Sequence, residues 1–401
     1  MNRGLKAGLL GLSLIAFTAT AGEKEFFKYE VINGKYVEGE ISADPDDKIW
    51  KTARGKDVYL YPQITVRLND KKANSLIPKK KKVTARVKVV YNSKNIAVYV
   101  RWKDDTPSIQ PVYDTDAFGD GVSVEFPNRF GKGISLPYVG MGDENHPVTV
   151  YLQKNVAGRD YQKVFISKGF GSLTEIEEDG VEISMKYNEE TKEWTAVFKR
   201  PLKTDISNLK SGLVPVAFAI WDGDKYERDG NKVLSRWKFI KLGKFPINED
   251  YVKYVSWGTP YIDWYRKDRK EDIGDPVRGK KLAIENGCNS CHRFDDQRIA
   301  PAGMAPDLSN IGVIANAVYI KESIINPNDV IIRNLNLNRH YNKGAQPDKF
   351  RAYPNNDMYQ WYIMMDGKRQ SKMPPFDYLS QQDINDIVAY LKTLKSWKKF
   401  K

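Results

Sequence analysis

The chain contains only two cysteines, and they fall within a single run, Cys288-Asn289-Ser290-Cys291-His292. C-x-x-C followed by histidine is the attachment pattern of c-type haem. Two thiols about one helical turn apart reach the two vinyl groups on one edge of a macrocycle. The next residue then offers its imidazole to the iron, so His292 is the expected proximal ligand, with Cys288 and Cys291 as the covalent anchors. A tetrahedral zinc site needs four ligands, and the chain has no further cysteine to supply them. A redox-active C-x-x-C of the thioredoxin kind belongs in a βαβ unit, and no such pattern surrounds this one. An exported protein can pair two cysteines as a disulfide, but a disulfide gives no role to the adjoining His292.

The flanking segments read as a small helical fold. Asp275-Pro276 is an N-cap followed by proline at the first helical position, opening a helix to about Asn286. After the motif comes Met304-Ala305-Pro306-Asp307-Leu308-Ser309-Asn310, and near the end of the chain Met373-Pro374-Pro375-Phe376. Ser380 with Asp383 three residues on is a capping signature. Ile384, Ile387, Val388, Leu391 and Leu394 follow at helical spacing. In this order the parts resemble a small class I cytochrome c. The resemblance implies that Met373 is the distal ligand and that the A-P-D-L-type segment packs beside the proximal histidine, which places Pro306 near His292. A thioether opposite an imidazole favours reduced iron and leaves no open position, so such a centre moves electrons and binds no substrate. The competing reading of Met373 is a core-filling methionine. Met304 lies too close to His292 in sequence to cross the haem, Met364 and Met365 read as core residues, and His340 sits in a polar stretch, Asn334 to Pro354, that reads as a surface insertion.

Residues 22 to about 260 read differently. Val83 to Val89 alternates with period two, and Ile96 to Trp102, Val148 to Leu152, Trp194 to Phe198 and Val214 to Trp221 are further strand candidates. Turn pairs Asn33-Gly34, Asp120-Gly121, Asp179-Gly180 and Asp229-Gly230 punctuate them. Many short strands with little helix imply a mainly β domain, an antiparallel β-sandwich. The expected architecture is therefore that sandwich followed by a small all-α cytochrome c domain.

Several segments of the β region, in order, resemble the haem b-binding γ subunit of the exported molybdenum enzymes related to ethylbenzene dehydrogenase, dimethylsulfide dehydrogenase and nitrite oxidoreductase. They are Ile49-Trp50-Lys51-Thr52-Ala53, Leu60-Tyr61-Pro62-Gln63, Ile96 to Asp104, Asp120 to Pro127, Met141-Gly142-Asp143 and Val216 to Gly223. The resemblance implies a β-sandwich holding haem b between a methionine and a lysine. Met141, in Pro137 to Gly142, matches the methionine, and Lys232, in Gly230-Asn231-Lys232-Val233, matches the lysine. Met185 is the second methionine candidate, and His146 is either a rival ligand or part of a His-Pro turn. A lysine at iron is chemically demanding. Its free pKa is about 10.4, and only the neutral amine binds metal, so burial must lower that value. The resemblance further implies a molybdopterin catalytic subunit and an iron–sulfur subunit as partners, with a soluble cytochrome or a membrane carrier at the other end.

Arg3 and Lys6 followed by the apolar run Ala7 to Phe17 and by Ala19-Thr20-Ala21 read as an export signal, residues 1–21, with cleavage before Gly22. A retained anchor is the alternative. Export to the periplasm, or to the outer face of the cytoplasmic membrane, argues against a nucleic-acid role for the net charge of +13. The lysine runs Lys79 to Lys82 and Lys395 to Lys401 read as solvated faces. Between the β domain (22–260) and the cytochrome domain (275–401) lies an aromatic and charged junction (261–274). Trp257, Tyr261, Trp264 and Tyr265 in and beside it are too apolar for a free linker and are expected to pack between the domains. With no catalytic dyad and no Fe–S cysteine set, the chain reads as a dihaem electron-transfer subunit and not as an enzyme. The alternative is a stand-alone monohaem cytochrome with a haem-less ligand- or carbohydrate-binding sandwich.

Overall fold

The computed structural model describes residues 21–65, 71–113, 116–259, 273–294, 296–301, 303–332 and 361–400. The signal-like segment up to residue 20, Tyr261, Trp264, Tyr265 and the stretch around His340 lie outside them.

The strands are β1 (Val31–Asn33), β2 (Lys35–Tyr36), β3 (Lys56–Pro62), β4 (Val83–Tyr91), β5 (Asn95–Lys103), β6 (Gly121–Pro127) and β7 (Val148–Val156). Then come β8 (Arg159–Ser167), β9 (Leu173–Ile176), β10 (Glu182–Asn188), β11 (Glu193–Pro201), β12 (Leu213–Trp221), β13 (Val233–Leu234) and β14 (Lys238–Lys241). Pairing runs β10-β11-β5-β4-β3-β13-β12-β6-β7-β8-β9, antiparallel at every step. Short parallel pairs join β1 to β14 and β2 to β4. The sheet doubles back at the two-residue strand β13, so that one leaf faces the other. Val87, Val98, Val100 and Phe198 of the first leaf share a core with Val122, Val124, Phe218 and Ile220 of the second.

All five strand candidates fall inside observed strands. Asp120-Gly121 is a correction: it opens β6 and is no turn. Asp120 is buried and accepts from Ser108 N at 2.7 Å, Gly223 N at 2.8 Å and Trp194 Nε1 at 3.0 Å. It acts as a tie between loops, and burial, with the nearby Asp104 carboxylate adding to it, pushes its pKa up to about 7.

Every residue of β6 and β12 is buried. A strand is buried on both sides only when both faces of its sheet are covered. One face of the second leaf looks into the sandwich. The other is covered by the C-terminal part, and one hydrophobic core runs from Ala217, Ala219, Trp221 and Trp237 to Ile311, Val318, Ile387 and Val388.

The C-terminal part is built on two crossing helices. Asp275 caps the Pro276–Glu285 helix, accepting from Val277 N and Arg278 N. The Ser380 hydroxyl accepts from Asp383 N at 3.1 Å and opens the Gln381–Thr393 helix. A hairpin of Tyr362–Met365 and Lys368–Ser371 is added to this helical frame. It corrects one expectation: Met364 and Met365 are 39% and 46% exposed rather than core residues.

Polar contacts fix the two parts together. Asn310 Nδ2 donates to Pro62 O at 2.7 Å, Asn316 Nδ2 to Trp237 O at 3.2 Å and Trp397 Nε1 to Lys80 O at 2.9 Å. The Glu249–Ser256 helix adds Tyr254, whose hydroxyl donates to Glu322 Oε2 at 2.7 Å. Neither lysine run is merely a solvated face. Lys80 is buried, 2.8 Å from Glu227, and in the C-terminal tail Phe400 is buried against Ile64 and Ile77.

Candidate haem sites

The C-terminal site starts from a one-turn helix, Cys288–Cys291, entered through Gly287 in the left-handed region at φ 74°. Both cysteines are free thiols. Cys288 packs on the shared core, and burial pushes its thiol up to about 11, while Cys291 is exposed. His292 Nδ1 lies 2.9 Å from Pro306 O. A carbonyl only accepts, so the proton sits on Nδ1 and Nε2 keeps the lone pair a metal needs. Burial lowers the pKa of the His292 ring against the opposing pull of the Pro306 carbonyl and Asp307. The contact is the placement of Pro306 that the cytochrome resemblance implies.

Met373 is partly buried against the same core as Cys288 and Leu308. The hairpin positions it: Lys372 N donates to Trp361 O at 2.9 Å and Met373 N to the Ser371 hydroxyl at 3.0 Å. Phe376 N then donates to Ile324 O at 3.0 Å. The hairpin was legible in the sequence, because Asp366-Gly367 between two short runs is a strong type I′ signal. Met304 is 53% exposed.

The second site lies on the outward face of β6, β7 and β12. Ala217, Glu125 and Val150 stand in one row, Ala219, Ser123 and Leu152 in the next, and Trp221, Gly121 and Lys154 in the third. Small side chains in the middle of the sheet leave a flat floor. Lys232 is 6% exposed, and its Nζ lies 5.0 Å from the centre of the Trp221 ring. Burial pulls its pKa below that of a free lysine, with Glu125 opposing. Burial in turn pushes Glu125 well above the carboxylate range, with Lys232 opposing. Lys232 is held by its backbone: it follows the Asp229-Gly230 turn, closed by the Arg228–Asn231 bridge, and its carbonyl accepts from Gln63 N at 2.9 Å.

Met141 packs on the same core as the floor residues Ala217, Ala219 and Trp221. Its φ is 103°, a costly value for a residue with a Cβ. Its carbonyl is pinned by Gly169 N at 2.9 Å and the Ser167 hydroxyl at 2.7 Å. Tyr138 precedes Met141 by one turn, with Gly142 N donating to its carbonyl at 2.7 Å, and burial pushes its phenol pKa up. Met185 packs instead on the interior core of the sandwich. His146 Nδ1 is 3.1 Å from Asp143 and Nε2 is 3.9 Å from Asp329. Burial pulls its pKa down, and these carboxylates more than offset that, so the net shift is upward. His146 is thus a link between the two parts.

These residues fit a haem. A buried amine whose pKa is pulled down, a thioether and a small-residue floor suit an iron porphyrin, and Glu125 Oε1 is a buried oxygen with no hydrogen-bond partner. Glu125 is a residue sequence reasoning missed, although Gly121, Ser123 and Glu125 alternate with Val122, Val124 and Phe126, and an acid on the small-residue face was readable.

A folded β-sheet joined through one core to a C-x-x-C-H helical unit defines a haem protein with two candidate iron sites. Residues 276–395 match the cytochrome c family model. The chain is 31% identical to chlorate reductase subunit gamma of Ideonella dechloratans over 50% of its own length and 79% of that protein. It is 27% identical to dimethylsulfide dehydrogenase subunit gamma of Rhodovulum sulfidophilum, over 50% of this chain and 75% of that one. It is 28% identical to a putative respiratory nitrate reductase heme subunit of Haloferax mediterranei, over 42% of this chain and 59% of that one. The chain belongs to the family of these gamma subunits and carries a cytochrome c domain at its C-terminus.

Proposed function

We propose that this chain is an exported dihaem subunit that passes electrons between the iron–sulfur subunit of a molybdenum oxidoreductase and a soluble or membrane-bound carrier. Residues 1–21 are its signal, 22–260 its haem b domain, 261–274 its junction and 275–401 its haem c domain, and it works at the periplasm or the outer face of the cytoplasmic membrane. Among the described residues no helix is long and apolar enough to cross a membrane.

In this reading Cys288 and Cys291 hold haem c covalently, with His292 and Met373 at its iron. Met141 and Lys232 hold haem b. Each group supplies a one-electron centre when bound. The chain's own residues set the conditions. The Pro306 carbonyl keeps His292 in the Nδ1–H tautomer, burial holds Lys232 toward the neutral amine, and the pinned turn holds Met141. The observation that carries the reading is the buried Lys232 beside Trp221, whose ring belongs to the core against which Cys288 and Met373 also pack. Pyridine haemochrome spectra of the purified protein should show b and c haem in equal amounts, and Lys232→Ala should lower b and leave c unchanged. Only c haem in the wild type would leave the stand-alone cytochrome with a haem-less sandwich.

A further inference from the structure

Two buried tyrosines meet across the seam between the β-sheet part and the helical part. The rings of Tyr138 and Tyr319 have their centres 6.4 Å apart with an angle of 41° between planes, and both side chains are buried. A leucine pair would fill such a seam with no phenol to bury. The residue carrying each ring is joined through its backbone to the segment that bears one candidate iron ligand. On the sheet side, Tyr138 and Met141 share one turn, closed by Gly142 N on the Tyr138 carbonyl at 2.7 Å. On the helical side, Tyr319 lies in the Ala317–Ile325 helix. Ile324 of that helix accepts from Phe376 N at 3.0 Å, and Phe376 stands three residues after Met373.

We propose that the Tyr138–Tyr319 ring contact is the electronic bridge between the two haem sites, joining the Met141 turn to the Met373 segment. The inference rests on the dihaem reading and names the residues that make it work. The transfer is a single electron: one iron is oxidised and the other reduced, no bond forms or breaks, and no proton is required. The chain supplies the medium, a continuous run of covalent bonds, two hydrogen bonds and one ring contact. Trp237 keeps the seam closed beside it, with Nε1 donating to Pro137 O at 2.8 Å and its carbonyl accepting from Asn316 Nδ2 at 3.2 Å.

The test is the interhaem transfer rate after a reducing pulse, followed at the separate b and c absorption bands of the full protein. Tyr319→Leu removes the ring contact, and Tyr319→Phe retains the ring without its hydroxyl. Both variants must hold the wild-type haem content, spectra and midpoint potentials, which fixes driving force and ligation. The rate should fall several-fold in Tyr319→Leu and hold in Tyr319→Phe. An unchanged rate in Tyr319→Leu overturns the bridge, and so does an equal fall in both variants, which would put the hydroxyl in the ring's place. If Tyr319→Leu does not fold, Tyr138→Leu and Tyr138→Phe make the same comparison. Absence of haem b from the wild type would show in the haemochrome spectrum before any kinetics, and would remove the dihaem reading and the bridge together.

Discussion

Buried charges in this molecule divide into those that are fully satisfied and those that are not. Glu30 belongs to the first kind. It is fully buried, with Oε1 2.7 Å from Arg236 and Oε2 2.8 Å from Lys238. Burial alone would raise its pKa, and the two cations overcome that and hold it at about 2, against 4.5 for a free glutamate. A folded-state pKa below the unfolded one gives stability that is complete above the unfolded value and lost as pH falls toward the folded one. The contribution is about 3 kcal/mol. Thermal melts from pH 6 down to pH 2 should therefore show a loss of stability starting near pH 4.5. Glu30→Gln should be less stable at neutral pH, with two buried cations left short of an anion, and should have a flatter acid slope. Identical acid slopes would show that the ion triad does not control the acid limb. Glu125 and Lys232 are of the second kind: among the described residues neither has a close ion-pair partner, and such a cost is usually tolerated where a ligand repays it. Their identities were readable in the sequence. Their burial was not, because it depends on segments far from either residue in sequence.

At the level of elements, local signals carried well where one segment decides its own fate. Asp275-Pro276 and Ser380 with Asp383 cap the helices expected of them, and β12 read as a continuous apolar run because both its faces are covered. The Glu249–Ser256 helix was missed inside a region read as β, although Asn248 caps it through Tyr251 N at 3.0 Å. What local signals cannot give is the closeness of two helices. Gly279 lies where the Pro276–Glu285 helix crosses the Gln381–Thr393 helix, and a Cβ there would overlap the Asp386 carbonyl. The backbone of the second helix cannot yield cheaply, since Asp386 Oδ1 accepts from Asp275 N and from Gln382 Nε2, both at 2.8 Å. Gly279→Ala should lower the stability of the helical part by about 1–3 kcal/mol despite its better helix propensity. A denaturant midpoint followed through the c-haem absorption bands checks this, and an unshifted midpoint would mean that the helices sit further apart than described.

Across the whole molecule, the order of motifs gave both parts and the c-type haem of the C-terminal one, but not how the parts sit together. That information is held in contacts between residues far apart in sequence: Asn310 with Pro62, Asn316 with Trp237, and Trp397 with Lys80 and with the Tyr61 ring at 6.0 Å. No periodicity or spacing encodes such pairs. They turn two modules into one body with a shared core. The account predicts one porphyrin stitched to the chain and one merely enclosed by it. Extraction of the purified protein with acidified acetone separates the two directly. Half of the haem should pass into the solvent and half should stay with the polypeptide. Retention of all of it, or loss of all of it, would contradict the account.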